Sequence, residues 1–281
     1  MHFKLVTIAA AVAGMAAGTA QADIRLSARI NDFGYQLTDL RPSDGMAPSL
    51  DFGNAGYYID LNAAEGPYAG FRDNQMKGSS ATKIGLLQEN LSITRAVSSG
   101  RSDAAFGISG ALSSRSFEWF VSGNAVTPRG NPVQASLVQL QAISGQPGLY
   151  WTMTVAPYTQ VTWSGTLTLE AAQTQGKRGA RYEEMNLSGG LSLLDENREI
   201  IDGLGRFIRI PRGTVDSQHN DYEIDMVFSN HSAAARHLIL EGGMSGMGQS
   251  FFPVPEPNTV AMMLSGMGIL VGVVCRRRRQ A

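Results

Sequence analysis

Leu149-Tyr150-Trp151-Thr152-Met153-Thr154-Val155-Ala156-Pro157-Tyr158-Thr159-Gln160-Val161-Thr162-Trp163-Ser164-Gly165-Thr166-Leu167-Thr168-Leu169 decides the fold class. The large apolar side chains Leu149, Trp151, Met153 and Val155 are all odd-numbered, and so are Val161, Trp163, Leu167 and Leu169. A repeat of two is the mark of a half-buried strand, because successive side chains leave a strand on opposite faces. If the two runs form a hairpin and share one face, paired numbers must sum to an even value. A turn centred on Pro157 then sets Trp151 directly across from Trp163, a cross-strand pair worth a few tenths to about 1 kcal/mol. Core packing is the favoured role for that pair. The functional alternative is a stacking platform for sugar rings, assisted by Tyr150, Tyr158 or Trp119.

The same alternation recurs outward from this stretch, in Phe33, Tyr35 and Leu37 and in Tyr222, Ile224, Met226 and Phe228, while helical periodicity is nearly absent. Turn signals stand at Pro42-Ser43-Asp44-Gly45, Gly53-Asn54, Ser99-Gly100, Gly123-Asn124, Pro128 to Pro132, Gly145 to Gly148 and Asp202-Gly203. Many short strands punctuated in this way predict an all-β fold, an antiparallel β-sandwich or jelly roll. It forms one large lobe or two small ones, with a boundary near 124–132 in the second case. Ser-Gly-X-Leu-Ser/Thr occurs at Ser109, Ser164 and Ser188, and its glycines fit bulges or close backbone approaches better than a true repeat.

The two ends read differently from the middle. Lys4 precedes the small and apolar run Leu5 to Ala17, and Ala20-Gln21-Ala22 fits a small-residue cleavage site. Residues 1–22 are therefore read as a secretory signal peptide cut between Ala22 and Asp23. At the other end, Thr259 to Cys275 carries no charge. Its 17 residues reach roughly 25 Å as a helix, the short end of a membrane span, and arginine stems absorb the shortfall by snorkelling. Arg276, Arg277, Arg278 and Arg279 mark the end that stays in the cytoplasm. Pro253, Pro255 and Pro257 keep the approach to the span extended.

Val254-Pro255-Glu256-Pro257, a short span containing Gly266, Gly268 and Gly272, and an arginine cluster, in that order, resemble the PEP-CTERM sorting signal of Gram-negative bacteria. The resemblance covers the tail alone. It implies recognition of Pro255, Glu256 and Pro257 by an exosortase, a membrane-embedded cysteine peptidase or transpeptidase, with removal of the tail near that element. It also implies membership of a cohort associated with exopolysaccharide and the extracellular matrix. Arg29 to Leu40 followed by Pro42 to Gly45 resembles the opening of other secreted β-rich proteins with such tails. The expected organisation is a signal peptide at 1–22, an exported β-rich domain at 23–252 and a sorting tail at 253–281. An inner-membrane intermediate then gives way to the cell surface or matrix.

Charge and cysteine usage bound the partners. Removing Lys4 and the four terminal arginines from 23 basic side chains leaves 18 against 24 acidic ones, a net charge of −6. A mildly acidic domain has no electrostatic footprint for nucleic acid. The single cysteine, Cys275, lies in the tail, so no disulfide or cysteine chemistry is available to the domain. His219, His231 and His237 match no zinc spacing and read as surface histidines. Asp216, Asn220 and Asp221, or Asp195, Glu196 and Asn197, offer oxygen ligands for calcium but equally suit polar turns. No nucleophile elbow or nucleotide fingerprint is present. Glu118 beside Trp119, and Glu183 with Glu184, are the carboxylates a glycosidase could use.

No metal, cofactor or catalytic residue is assigned. The expected function is a non-enzymatic structural or adhesive component of an exopolysaccharide matrix, with signal peptidase and exosortase as processing partners and exopolysaccharide as a further one. The alternatives are a carbohydrate-binding module and, behind it, a polysaccharide-degrading enzyme.

Overall fold

The computed structural model describes residues 22–67, 77–86, 91–96, 102–127, 134–141, 149–174, 177–178, 181–211 and 214–251. The spanning helix expected at 259–275, the sorting element Pro255-Glu256-Pro257, the arginines Arg276 to Arg279 and most of the signal peptide lie outside them. Fifteen strands are described. They are β1 (Ala22–Asp39), β2 (Leu50–Pro67), β3 (Lys77–Leu86), β4 (Leu91–Ala96), β5 (Ser102–Ser109), β6 (Phe117–Thr127), β7 (Gln134–Gln141) and β8 (Leu149–Val155). Then follow β9 (Thr159–Gln173), β10 (Lys177–Arg178), β11 (Arg181–Tyr182), β12 (Glu184–Asp195), β13 (Ile200–Ile210), β14 (Asp216–Ser229) and β15 (Arg236–Phe251).

Every pairing is antiparallel. One sheet runs β14-β9-β1-β6-β5-β4 and the other β13-β12-β15-β7-β2-β3. Strand β8 shares the lane of β7 end to end: both lie between β15 and β2, β8 against their upper halves and β7 against their lower halves. The inner faces of the two sheets bury one apolar core, from Ile24 and Leu26 on β1 to Leu240 and Met244 on β15, with contributors on both sides of 124–132. This is the expected all-β sandwich.

The two central runs alternate as expected: Leu149, Trp151, Met153 and Val155 are buried, and so are Val161, Trp163, Leu167 and Leu169. The hairpin is not formed. Strand β8 pairs with β15 and β2, whereas β9 pairs with β1 and β14 in the opposite sheet, so Trp151 and Trp163 are not cross-strand partners. Pro157-Tyr158 is a corner from sheet to sheet. Tyr158 adopts φ 50°, its N–H donates to Ser232 O, and Leu40 N–H donates to its carbonyl. Parity alone could not separate these arrangements, because strands of facing sheets also turn their odd residues to a common core.

Several turn signals sit inside strands. Gly53-Asn54 marks a register shift between Phe52 and Ala55 of β2 against β8, Gly123-Asn124 lies within β6, and Asp202-Gly203 follows the shift that leaves Ile201 unpaired with β12. A third shift, at Asn31 to Phe33 of β1, moves the buried set from Ile24, Leu26, Ala28 and Ile30 to Phe33, Tyr35 and Leu37. Gly165 lies opposite it, where an added Cβ would sit 3.0 Å from Asn31 O and from Phe33 Cα. Pro42-Ser43-Asp44 is a single 3-10 turn closed by Gly45 at φ 74°. The Ser-Gly-X-Leu matches fall at a loop, a bulge and a mid-strand position, so they do not form a structural repeat.

Candidate functional site

The start of the first strand and the end of the last described strand lie at one pole of the sandwich. Strand β1 begins at Ala22 and β15 finishes at Phe251, and near these ends Leu26 of β1 packs against Gly246 of β15 across the core. The expected cleavage bond Ala22–Asp23 is already inside the ladder, with Ala22 opposite Thr127 and Asp23 opposite Val126. Asp23 is buried at this pole; its N–H donates to Thr174 Oγ1 at 2.8 Å, and its Oδ2 accepts from Arg25 Nε and Nη2 at 3.0 and 2.7 Å.

A trough of about 410 Å3 crosses the outer face of the first sheet. Ser27 of β1 and Ser122 of β6, a cross-strand pair, form its floor. One wall is Glu170 of β9 beside His219 of β14, which are also directly paired. The other is Asp103 of β5 beside Asn124 of β6. His219 Nδ1 meets Glu170 Oε1 at 2.8 Å, its Nε2 meets Asp221 Oδ2 at 3.3 Å, and Thr168 Oγ1 donates to Asp221 Oδ1 at 2.6 Å. The Glu170 contact, then Asp221, holds the imidazole above its ordinary value. The Thr168 hydroxyl, then His219, holds Asp221 below the usual carboxylate range. Across the trough, burial pushes Asp103 upward, partly offset by a hydrogen bond from Asn124, whose own buried Oδ1 has no partner.

These groups form a polar surface able to hydrogen-bond a hydroxyl-rich ligand. They are poorly arranged for proton transfer by His219, since both ring nitrogens are committed to carboxylates. Glu118 is exposed on β6 while its neighbour Trp119 is fully buried; Glu183 is buried and Glu184 half-buried. Among the described residues no cluster of His, Cys, Asp or Glu has the makings of a metal site. In the calcium candidates, Asp221 is spent on Thr168 and His219, and Asp195 Oδ1 accepts the Asn197 and Glu199 N–H groups as a turn carboxylate does. His237 bonds Thr154 Oγ1, and His231 is exposed in the loop before β15.

At the opposite pole, Tyr35, Phe52, Phe117 and Trp151 line a cleft of about 280 Å3 beside the Gly110 to Ser113 loop. Trp151 is 5% exposed, and Trp119 and Trp163 are fully buried. The tryptophans are therefore core, as favoured above, and none forms a flat stacking platform. Two of the outward rings, Phe120 and Tyr150, are packed alike. Each is directly opposite a glycine of the neighbouring strand, Gly107 and Gly56, and occupies the space a Cβ there would need.

Residues 253–279 match the PEP-CTERM protein-sorting motif family. No curated protein and no solved structure matches the chain. The matched stretch contains Pro255, Glu256 and Pro257 and the four arginines, and with it export, exosortase processing and surface or extracellular sorting follow as the address of the chain.

Proposed function

We propose that this protein is a non-enzymatic structural or adhesive component of an extracellular polysaccharide matrix. In this reading it is delivered as a folded sandwich through an inner-membrane intermediate and released by exosortase cleavage near Pro255-Glu256-Pro257. The sorting tail on an all-β domain carries the reading. The fold supports it physically. The first strand and the last described strand run side by side in facing sheets near their outer ends, where Leu26 of β1 packs against Gly246 of β15, so a tether leading on from each would leave from one side of the sandwich. The domain has no cysteine, so its core does not depend on disulfide formation outside the cell.

A carbohydrate-binding role is the second reading, favoured by the trough, where serine hydroxyls, an amide and carboxylates of opposed walls converge. Replacing Pro255, Glu256 and Pro257 by alanine in the native host tests the sorting step. A full-length, membrane-retained species is expected; unchanged processing and release would contradict it.

A further inference from the structure

Strand β13 is the edge of its sheet: it pairs with β12 on one side only. Of the large apolar side chains that stand exposed among the described residues, Ile200, Ile201 and Phe207 are on this strand, and Val215 and Val227 are on or beside the facing edge strand β14. Phe207, at 75% exposed, differs from Phe120 and Tyr150. Phe120 and Tyr150 are each set opposite a glycine in the adjacent strand, whereas Phe207 is opposite Ser188 and projects into solvent. The glycines that would complete the pattern, Gly203 and Gly205, are on β13 itself, and the space a Cβ would fill at Gly205 is open.

We propose that β13 pairs antiparallel with β13 of a second copy, about a two-fold axis at Gly205, so that Phe207 of each chain is laid over Gly203 of the other. In this register paired numbers sum to 410, so outward residues meet outward residues, and the segment from Asp202 to Ile208 contains no bulge. The strand is self-complementary in charge. Within it the acidic Asp202 precedes Gly205 and the basic Arg206 and Arg209 follow it. Antiparallel pairing therefore brings Asp202 diagonal to the partner's Arg206 twice, as an isologous interface requires. The edge is kept in register for this by the groups now lying along it. Arg206 Nη1 donates to Gly205 O at 2.9 Å, and on pairing that carbonyl exchanges the guanidinium for the partner's backbone N–H as its donor. Asp202 Oδ2 accepts Val227 N–H at 3.2 Å and ties β13 to β14. The surface is independent of the sorting tail.

The test is the mass of the native protein in solution by sedimentation velocity, on the processed form or, if the tail is retained, on the full chain in detergent. A concentration-dependent dimer is expected; a single-chain mass at every accessible concentration overturns the proposal. Phe207→Lys changes an exposed side chain and should weaken the dimer at least about tenfold, the behaviour of an aromatic at an interface centre. A second variant, Gly205→Cys, places a thiol on the axis, where antiparallel partners are about 5.5 Å apart, within reach of a disulfide. It should cross-link under mild oxidation where the unsubstituted chain does not. A dimer unaffected by Phe207→Lys, or a Gly205→Cys chain that folds and does not cross-link, means the edge is only protected by its charges and the proposal fails.

Discussion

His219 is the residue whose environment makes the clearest statement about pH. It clasps β14 to β9 through Glu170, and its folded-state value is raised above the ordinary 6.5. The fold therefore favours the protonated ring. That contribution is fully present below pH 6.5 and disappears as pH rises through the folded value. Asp221 has the opposite sense: lowered from 3.8, it helps above that pH and is lost as pH falls through its folded value. The melting temperature of His219→Gln should thus fall below that of the parent near pH 5 and match it above the folded value of the imidazole; equal differences at both pH values would contradict the clasp. Asp103 is a cost instead. Burial raises it from 3.8, so ionisation near neutral pH weakens the fold, and Asp103→Asn should raise the melting temperature at pH 7 but not near pH 3. The parity of His219 and Asp221 on one strand is legible in the sequence. Glu170 is 49 residues away with no local signal, and only the β9–β14 register brings it to His219.

At the scale of elements, alternation told which residues are buried but not which strands pair. The inward faces of β8 and β9 were legible because period two survives any antiparallel arrangement. Their assignment to different sheets depends on the Pro157-Tyr158 corner, whose bonds run to Ser232 and Leu40, far away in the chain. Some turn-forming dipeptides fall inside strands for a related reason: the small residues that suit a turn, as at Pro42 to Gly45, also suit a bulge, as at Gly53-Asn54 in β2. Glycines divide by what they face. At Gly242 an added Cβ would sit 2.5 Å from Trp119 Cζ3, and that ring is fully enclosed. Gly242→Ala should therefore cost about 1–3 kcal/mol by overpacking, read from denaturant unfolding. Gly107→Ala meets Phe120 even more closely, at 2.2 Å from Cε1, yet that ring is on the outer face and can swing towards solvent. Its cost should be smaller; the reverse order would show that the outer ring is the better anchored of the two.

For the whole molecule, the address was more legible than the occupation. Order, spacing and position carry the tail's meaning, and all three are properties of a linear sequence. A matrix contact is a property of a surface, and the trough, the aromatic cleft and the β13 edge exist only after strands distant in sequence are brought side by side. The sandwich also adds a geometry that the sequence could not: Asp23, near the start of β1, is inside the ladder, and Leu26 of β1 packs against Gly246, five residues before the end of β15. Intact mass combined with fractionation of the protein from its native host tests this account most directly. A species beginning at Asp23 and ending between Val254 and Pro257, found outside the cell, is the predicted result. A species that still carries Arg276 to Arg279 and stays in the inner membrane would contradict it, and the tail would then be a permanent anchor.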